Sequence, residues 1–159
     1  ARAVADAGAA GITAINTMPG MLVDAESGSP VLDNRTGGIS GPALKPIALR
    51  CVHEIAGVLD IPIIGTGGML TGRDAVEMIS AGAACVGIGS AVFYRGENAF
   101  TLIRDELALW LTERGQTLDG IRGRTRRARD ASRSTNPPPV PGDSRSGGGS
   151  AGRETRHDR

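Results

Sequence analysis

Residues 61–68, IPIIGTGG, and residues 81–91, AGAACVGIGSA, decide the fold between them. Each holds a short apolar run, Ile61–Ile64 and Ala84–Ile88, that closes on glycine and a hydroxyl residue. Neither run alternates apolar with polar. A strand of that kind is covered on both faces, as in a parallel sheet flanked by helices. Ile63 and Val86 stand about 23 residues apart, the length of one compact strand–helix unit.

Working outward, the residues between the two runs form the intervening helix, expected over Arg73–Ser80 with Thr71 as its cap. Upstream, PALKPIALRCVHEIAGVL (42–59) repeats apolar residues at helical spacing: Leu44, Ile47, Ala48, Val52, Ile55 and Leu59. Pro42 and Pro46 lie in or near its first turn, where proline is tolerated. A loop rich in glycine and proline is expected over 18–41, after a β-type run at Ile12–Thr17. ARAVADAGAA (1–10) reads as the end of an amphipathic helix that Gly11 can terminate. Downstream, Asn98–Thr112 carries a stripe of Phe100, Ile103, Leu107, Trp110 and Leu111. The order α–β–loop–α–β–α–β–α defines an α/β protein, and it fits either a barrel or an open doubly wound sheet. Three units leave two unpaired strand edges, a liability that folded proteins avoid. With no initiator methionine at its start, the chain is expected to be a fragment of a barrel or to be completed by another chain.

Composition divides the 159 residues at about residue 113. Residues 1–113 are rich in Ala, Ile, Val and Leu and carry a net charge of −5, whereas residues 114–159 carry +6. An acidic body argues against a nucleic-acid surface, which needs clustered cations. The tail, rich in Arg, Gly, Ser and Pro and without aromatics, is expected to hold a short helix within 114–130 and to be disordered over 131–159. Cys51 and Cys85 are expected to be reduced core residues, which suits the cytoplasm. His53 is expected at the solvated surface, and no metal-ligand spacing is present. No apolar run approaches the ~20 residues of a membrane span.

The chemistry is expected where the strands end. Gly37-Gly38-Ile39-Ser40-Gly41, Gly65-Thr66-Gly67-Gly68 and Gly89-Ser90 each combine glycine with a small or hydroxyl residue. Glycine there lets backbone N–H groups approach an anion, and the last loops of barrels often form a phosphate site. Any one of these motifs alone reads equally as a tight turn; three in succession favour phosphate.

Taken together, INTMPGMLVDAESGSPVLDNRTGGISGPALKPIAL (15–49), IPIIGTGG and AGAACVGIGSA resemble class 1 dihydroorotate dehydrogenases, in particular the flavin-linked heteromeric subclass. The likeness covers about residues 1–113. It implies the C-terminal strand–helix units of a (β/α)₈ barrel that binds FMN and oxidises (S)-dihydroorotate to orotate in pyrimidine biosynthesis. By that resemblance Asn16 and Thr17 contact the pyrimidine. Ile15 and Gly41 lie against the flavin, and Gly67, Gly68, Gly89 and Ser90 meet its phosphate. The family's catalytic base and flavin-contacting lysine match nothing here and are expected upstream. Lys45, the single lysine, begins a helix and is not that residue. The resemblance further implies a homo-oligomer and a partner subunit carrying FAD and an iron–sulfur cluster, for which this chain has no cysteine array. Three other readings stay open: a dihydropyrimidine dehydrogenase-like FMN barrel, a flavin-free phosphosugar enzyme on the same scaffold, and a non-catalytic fragment.

Overall fold

A computed structural model describes residues 1–135, with side chains through residue 131. Three short parallel strands form the sheet: β1 (Ile12–Ala14), β4 (Ile63–Thr66) and β5 (Cys85–Gly87), in the order β1-β4-β5. Ile12 stands opposite Ile63, and Ile64 opposite Cys85. Each connection runs through a helix, α2 (Lys45–Ala56) between β1 and β4 and α3 (Gly72–Ala81) between β4 and β5. The expected pattern of alternating units is therefore present.

Period-two alternation within each strand sorts residues between the two faces. Ala14, Ile63, Gly65 and Val86 face the helices. There Ala14 and Ile63 join Ala48, Val52, Met69, Met78, Ala81 and Ala83 in one buried cluster. A Cβ on Gly65 would come within 2.5 Å of Met78 Cγ and 2.9 Å of Ala83 Cβ. Glycine at 65 thus lets α3 cross the strand at close range. Thr71 caps α3 by accepting from Asp74 N, and Asp74 returns the bond to Thr71 N, a complete capping box. Gly82, at φ 129°, ends the helix, and Ala83 N closes it onto Met78 O.

The opposite face of the sheet is different. Ile64 is 41% exposed, and Thr13 and Cys85, its neighbours across the register, are exposed too. Cys85 was expected in the core, because an apolar run does not say which face each residue takes. Cys51 is half-buried on α2. Of the described residues, none covers this inner face.

Several elements refine the sequence reading. The expected loop 18–41 contains an antiparallel pair, β2 (Met18–Gly20) and β3 (Gly37–Ile39). Pro42–Leu44 is a 3₁₀ turn, and α2 starts at Lys45. A short helix α4 (Ser90–Arg95) precedes α5 (Ala99–Glu113). Phe100 is 55% exposed, so the buried stripe of α5 is Ala99 and Ile103, with Leu107, Trp110 and Leu111 packed beside it. His53 is half-buried, and its Nδ1 is enclosed with no hydrogen-bond partner among the described residues. It lies beside Arg126 and Arg129 of the C-terminal helix rather than at the solvated surface expected for it.

Two terminal helices follow, α6 (Leu118–Ile121) and α7 (Arg124–Thr135). Thr117 caps α6 through Gly120 N. Ile121 is fully buried against Val76 and Ile79, and Gly123 N donates to Ile79 O. The guanidinium groups of Arg114 and Arg124 lie 4.7 and 5.2 Å from the Trp110 ring centre. The first residues of the expected disordered segment 131–159 continue α7, and the rest lie outside the described residues. Because Ile121 fills space between α3 and α5, Ile121→Ala is expected to cost about 2–5 kcal/mol of unfolding free energy, measured by denaturant titration. A cost below about 0.5 kcal/mol would show that the terminal helices are not part of the folded body.

Candidate functional site

At the C-terminal ends of β1, β4 and β5 the chain leaves the sheet in three turns, and these line one cleft of about 190 Å³. Ile15, Asn16, Thr17, Gly41, Gly67, Gly68, Gly89 and Ser90 all line it. All eight residues that the resemblance assigns to substrate or flavin are thus brought to one place. Ser40, Leu44, Thr66, Met69 and Gly87 complete the wall, whereas Gly37, Gly38, Ile39 and Gly65 of the glycine motifs do not line it. The sequence held a signal for Ser40 and Thr66, which sit inside those motifs. It held none for Leu44, which reads as part of a helix stripe, or for Met69 and Gly87.

Each position has a local cause. The Ala14–Ile15 peptide is cis, and Ile15 N donates to Thr66 O, which ties the end of β1 to the end of β4. Asn16 Oδ1 accepts from Thr17 N at 2.8 Å, so the side-chain amide is fixed by its own backbone and its NH₂ remains a donor. Thr17 packs against Gly38 of β3, where any side chain would overlap it. The β2–β3 pair therefore positions the residue next to Asn16.

The glycines divide by physical cause. Gly67 and Gly68 have φ of 125° and 76°. A Cβ on Gly67 would lie 2.8 Å from Ala48 Cβ, and one on Gly68 would lie 2.7 Å from Lys45 N and 2.8 Å from Gly41 O. Their lack of side chains is therefore a packing demand: the β4 turn lies flat on the start of α2. Gly89 has no positive φ, and a Cβ there would meet nothing within 4 Å. A side chain at Gly89 is therefore excluded neither by φ nor by close neighbours.

The start of α3 has little to offer an anion. The first N–H groups of α3 are already taken, Gly72 N by Glu106 Oε2 at 2.7 Å and Asp74 N by Thr71 Oγ1 at 3.2 Å. What remains for an anion is the turns themselves. Among the described residues, no acceptor is bonded to the backbone N–H of Gly67, Gly68, Gly89 or Ser90. Unpaired N–H groups on one cleft make an anion cradle.

Charge surrounds the cleft without entering it. Lys45 Nζ lies 2.6 Å from Asp74 Oδ1 and 2.9 Å from Glu77 Oε2, and these bonds hold its ammonium above the ordinary range. Burial opposes the Asp74 charge. The bonds from Lys45, Leu70 N and Thr71 together outweigh it and hold the carboxyl low. Arg95 pairs with Glu106, and that pair, with Gly72 N, lowers the Glu106 carboxyl. Among the described residues, no Asp, Glu, His, Lys, Arg or Cys lines the cleft.

This arrangement defines a class first: a strand–helix segment of a (β/α)₈ barrel with a glycine-rich cleft, uncharged among the described residues, at its C-terminal face. The family follows from comparison. The family model described as "Dihydroorotate dehydrogenase" matches residues 1–111, and the chain belongs to that family. "Dihydroorotate dehydrogenase B (NAD(+)), catalytic subunit" of Methanocaldococcus jannaschii is 46% identical over 77% of this chain and 40% of its own. The protein of that name from Bacillus thuringiensis is 49% identical over 72% of this chain and 37% of its own. A crystal structure of dihydroorotate dehydrogenase from Eimeria tenella in complex with ferulenol superposes with a TM-score of 0.63 at 30% identity, covering 79% of this chain and 34% of that one. The chain thus spans about two fifths of the length of its curated relatives. No helix among the described residues is long and apolar enough to cross a membrane.

Two measurements check the site. Gly68→Ala should lower stability by more than about 2 kcal/mol in denaturant titration, while Gly89→Ala should stay within about 0.5 kcal/mol of the parent. Equal costs would contradict the division between packing and open glycines. In acid, the depressed Asp74 and Glu106 carboxyls give stability that is complete above about pH 5. It is lost as pH falls below their ordinary values of 3.8 and 4.5. Asp74→Asn should flatten that decline in an acid-unfolding series, and an unchanged slope would count against the assignment.

Proposed function

We infer that this chain supplies the FMN-phosphate cradle and part of the pyrimidine contact of a cytoplasmic dihydroorotate dehydrogenase. The enzyme would oxidise (S)-dihydroorotate to orotate in pyrimidine biosynthesis. One observation carries the reading: the unpaired N–H groups of Gly67, Gly68, Gly89 and Ser90 share a single cleft with Asn16 and Thr17. The residues fit the cofactor. Gly89 leaves open space for a phosphate oxygen, Ser90 adds a hydroxyl, and Ile15 and Gly41 offer an apolar edge and bare backbone to a flat ring. FMN, when bound, supplies the hydride acceptor.

What the chain itself does is bind and orient. Asn16, held by Thr17 N, presents an amide NH₂ to a carbonyl or carboxylate oxygen of the pyrimidine, and Thr17 adds a hydroxyl. Orientation of this kind fixes which substrate carbon faces the acceptor. By the resemblance to the family, the base that removes the proton and the flavin-contacting lysine come from a segment outside this stretch. Electrons leave through a partner subunit carrying FAD and an iron–sulfur cluster, in keeping with relatives named as catalytic subunits, and the complete chain self-associates.

The full-length protein should be yellow, with one FMN per chain, and should reduce a dye only when dihydroorotate is added. Asn16→Ala should lower that turnover by about tenfold or more while FMN stays bound, since one amide contact to a charged ligand is worth ~1.5–3 kcal/mol. Turnover with dihydrouracil in place of dihydroorotate would point to the dihydropyrimidine chemistry. Loss of flavin in Asn16→Ala would overturn the division of roles.

A further inference from the structure

We propose that Arg95 and Lys45 are positioning residues for the phosphate cradle, acting through the backbone of Leu70. This rests on the reading of the cleft as the FMN-phosphate site. Leu70 follows the Gly67-Gly68-Met69 turn directly, and both of its backbone groups are held by charge. Its N–H donates to Asp74 Oδ2 at 3.0 Å, and its carbonyl accepts from Arg95 Nη1 at 2.8 Å.

Each holder is anchored in turn. Asp74 uses its second oxygen to accept from Lys45 Nζ, and it also accepts from Thr71 N and Thr71 Oγ1. Arg95 forks onto both oxygens of Glu106, and Glu106 Oε2 accepts from Gly72 N. The fork geometry fixes the guanidinium more firmly than a single ion pair does.

The positions of these residues along the chain give the network its meaning. Lys45 begins α2, four residues after Gly41. Arg95 ends α4, the helix that starts at Ser90. Asp74 lies in the first turn of α3. The three turns that make the cleft are therefore joined, by side chains none of which lines it, to the two peptides that flank Leu70, beside the Gly67-Gly68 pair. An anion cradle built of backbone N–H groups depends on their mutual spacing, because the groups cannot adjust one at a time. Lys45 and Arg95 fix that spacing while leaving the cleft uncharged.

The test compares FMN with riboflavin, which carries the same ring and no phosphate, on the apo form of the full-length protein. The parent should bind FMN more tightly than riboflavin. Arg95→Met should weaken FMN by about ten- to hundred-fold, the scale of one hydrogen bond to a charged group, and leave riboflavin unchanged. Arg95→Lys should recover part of the loss, since one ammonium can still donate to Leu70 O. Lys45→Met, which leaves the Thr71 capping box in place, should show the same selective loss if Arg95→Met does not fold. Equal weakening of both flavins would mean a general structural role and would overturn the proposal, as would unaltered FMN affinity in either Met variant. If the parent binds both flavins equally, the phosphate reading of the cleft fails, and the positioning role falls with it.

Discussion

The site depends on one close approach of backbone to backbone. The Gly67-Gly68 turn at the end of β4 lies against Gly41 O and Lys45 N at the start of α2, at a distance that excludes any side chain. Through this contact the first and second strand–helix units share a wall. Ile15 N reaches Thr66 O from the same side, and Met69, next in sequence, enters the main buried cluster. The cleft is what remains open above that junction. Its lining is accordingly backbone, hydroxyls and apolar carbon, with charged groups held one layer back.

That layering has an electrostatic reason. A lysine or arginine in the cradle would hold phosphate strongly, and it would also impose a flexible point charge beside an uncharged ring system. Fixed N–H dipoles carry less charge and need no reorganisation when a ligand arrives. Here the cations pair with carboxylates, Lys45 with Asp74 and Glu77 and Arg95 with Glu106, and Asp74 and Glu106 in turn accept from backbone N–H groups of Leu70, Thr71 and Gly72. Charge thus fixes the backbone beside the cleft without lining it.

The sheet is finished on one side only. Its helix-facing side carries the main buried cluster, and its other side leaves Thr13, Ile64 and Cys85 exposed. In a barrel that second face is interior, filled by side chains from the remaining strands. The same asymmetry separates the jobs of the residues. Those facing the helices hold the units together, and those at the strand ends line the cleft.

The sequence by itself determined the α/β order, the Thr71 cap of α3 and the family. The order and the cap were legible because they rest on local rules: apolar runs make strands, and a hydroxyl before a helix caps it. The eight residues that gather on the cleft were legible through the resemblance to the family. Tertiary structure alone decided which glycines are bare for packing and which face open space, because Gly68 is constrained by Lys45 and Gly41, far from it in sequence. It also decided that Cys85 is exposed while Val86 is packed, since the register of β5 on β4 sets the face of each residue. The β2–β3 pair, hidden in a loop of glycine and proline, exists because Met18 and Ile39 meet across it. The roles of Lys45 and Arg95 were illegible for the same reason. Their partners lie 29 and 11 residues along the chain, and no local pattern reports a contact that only folding creates.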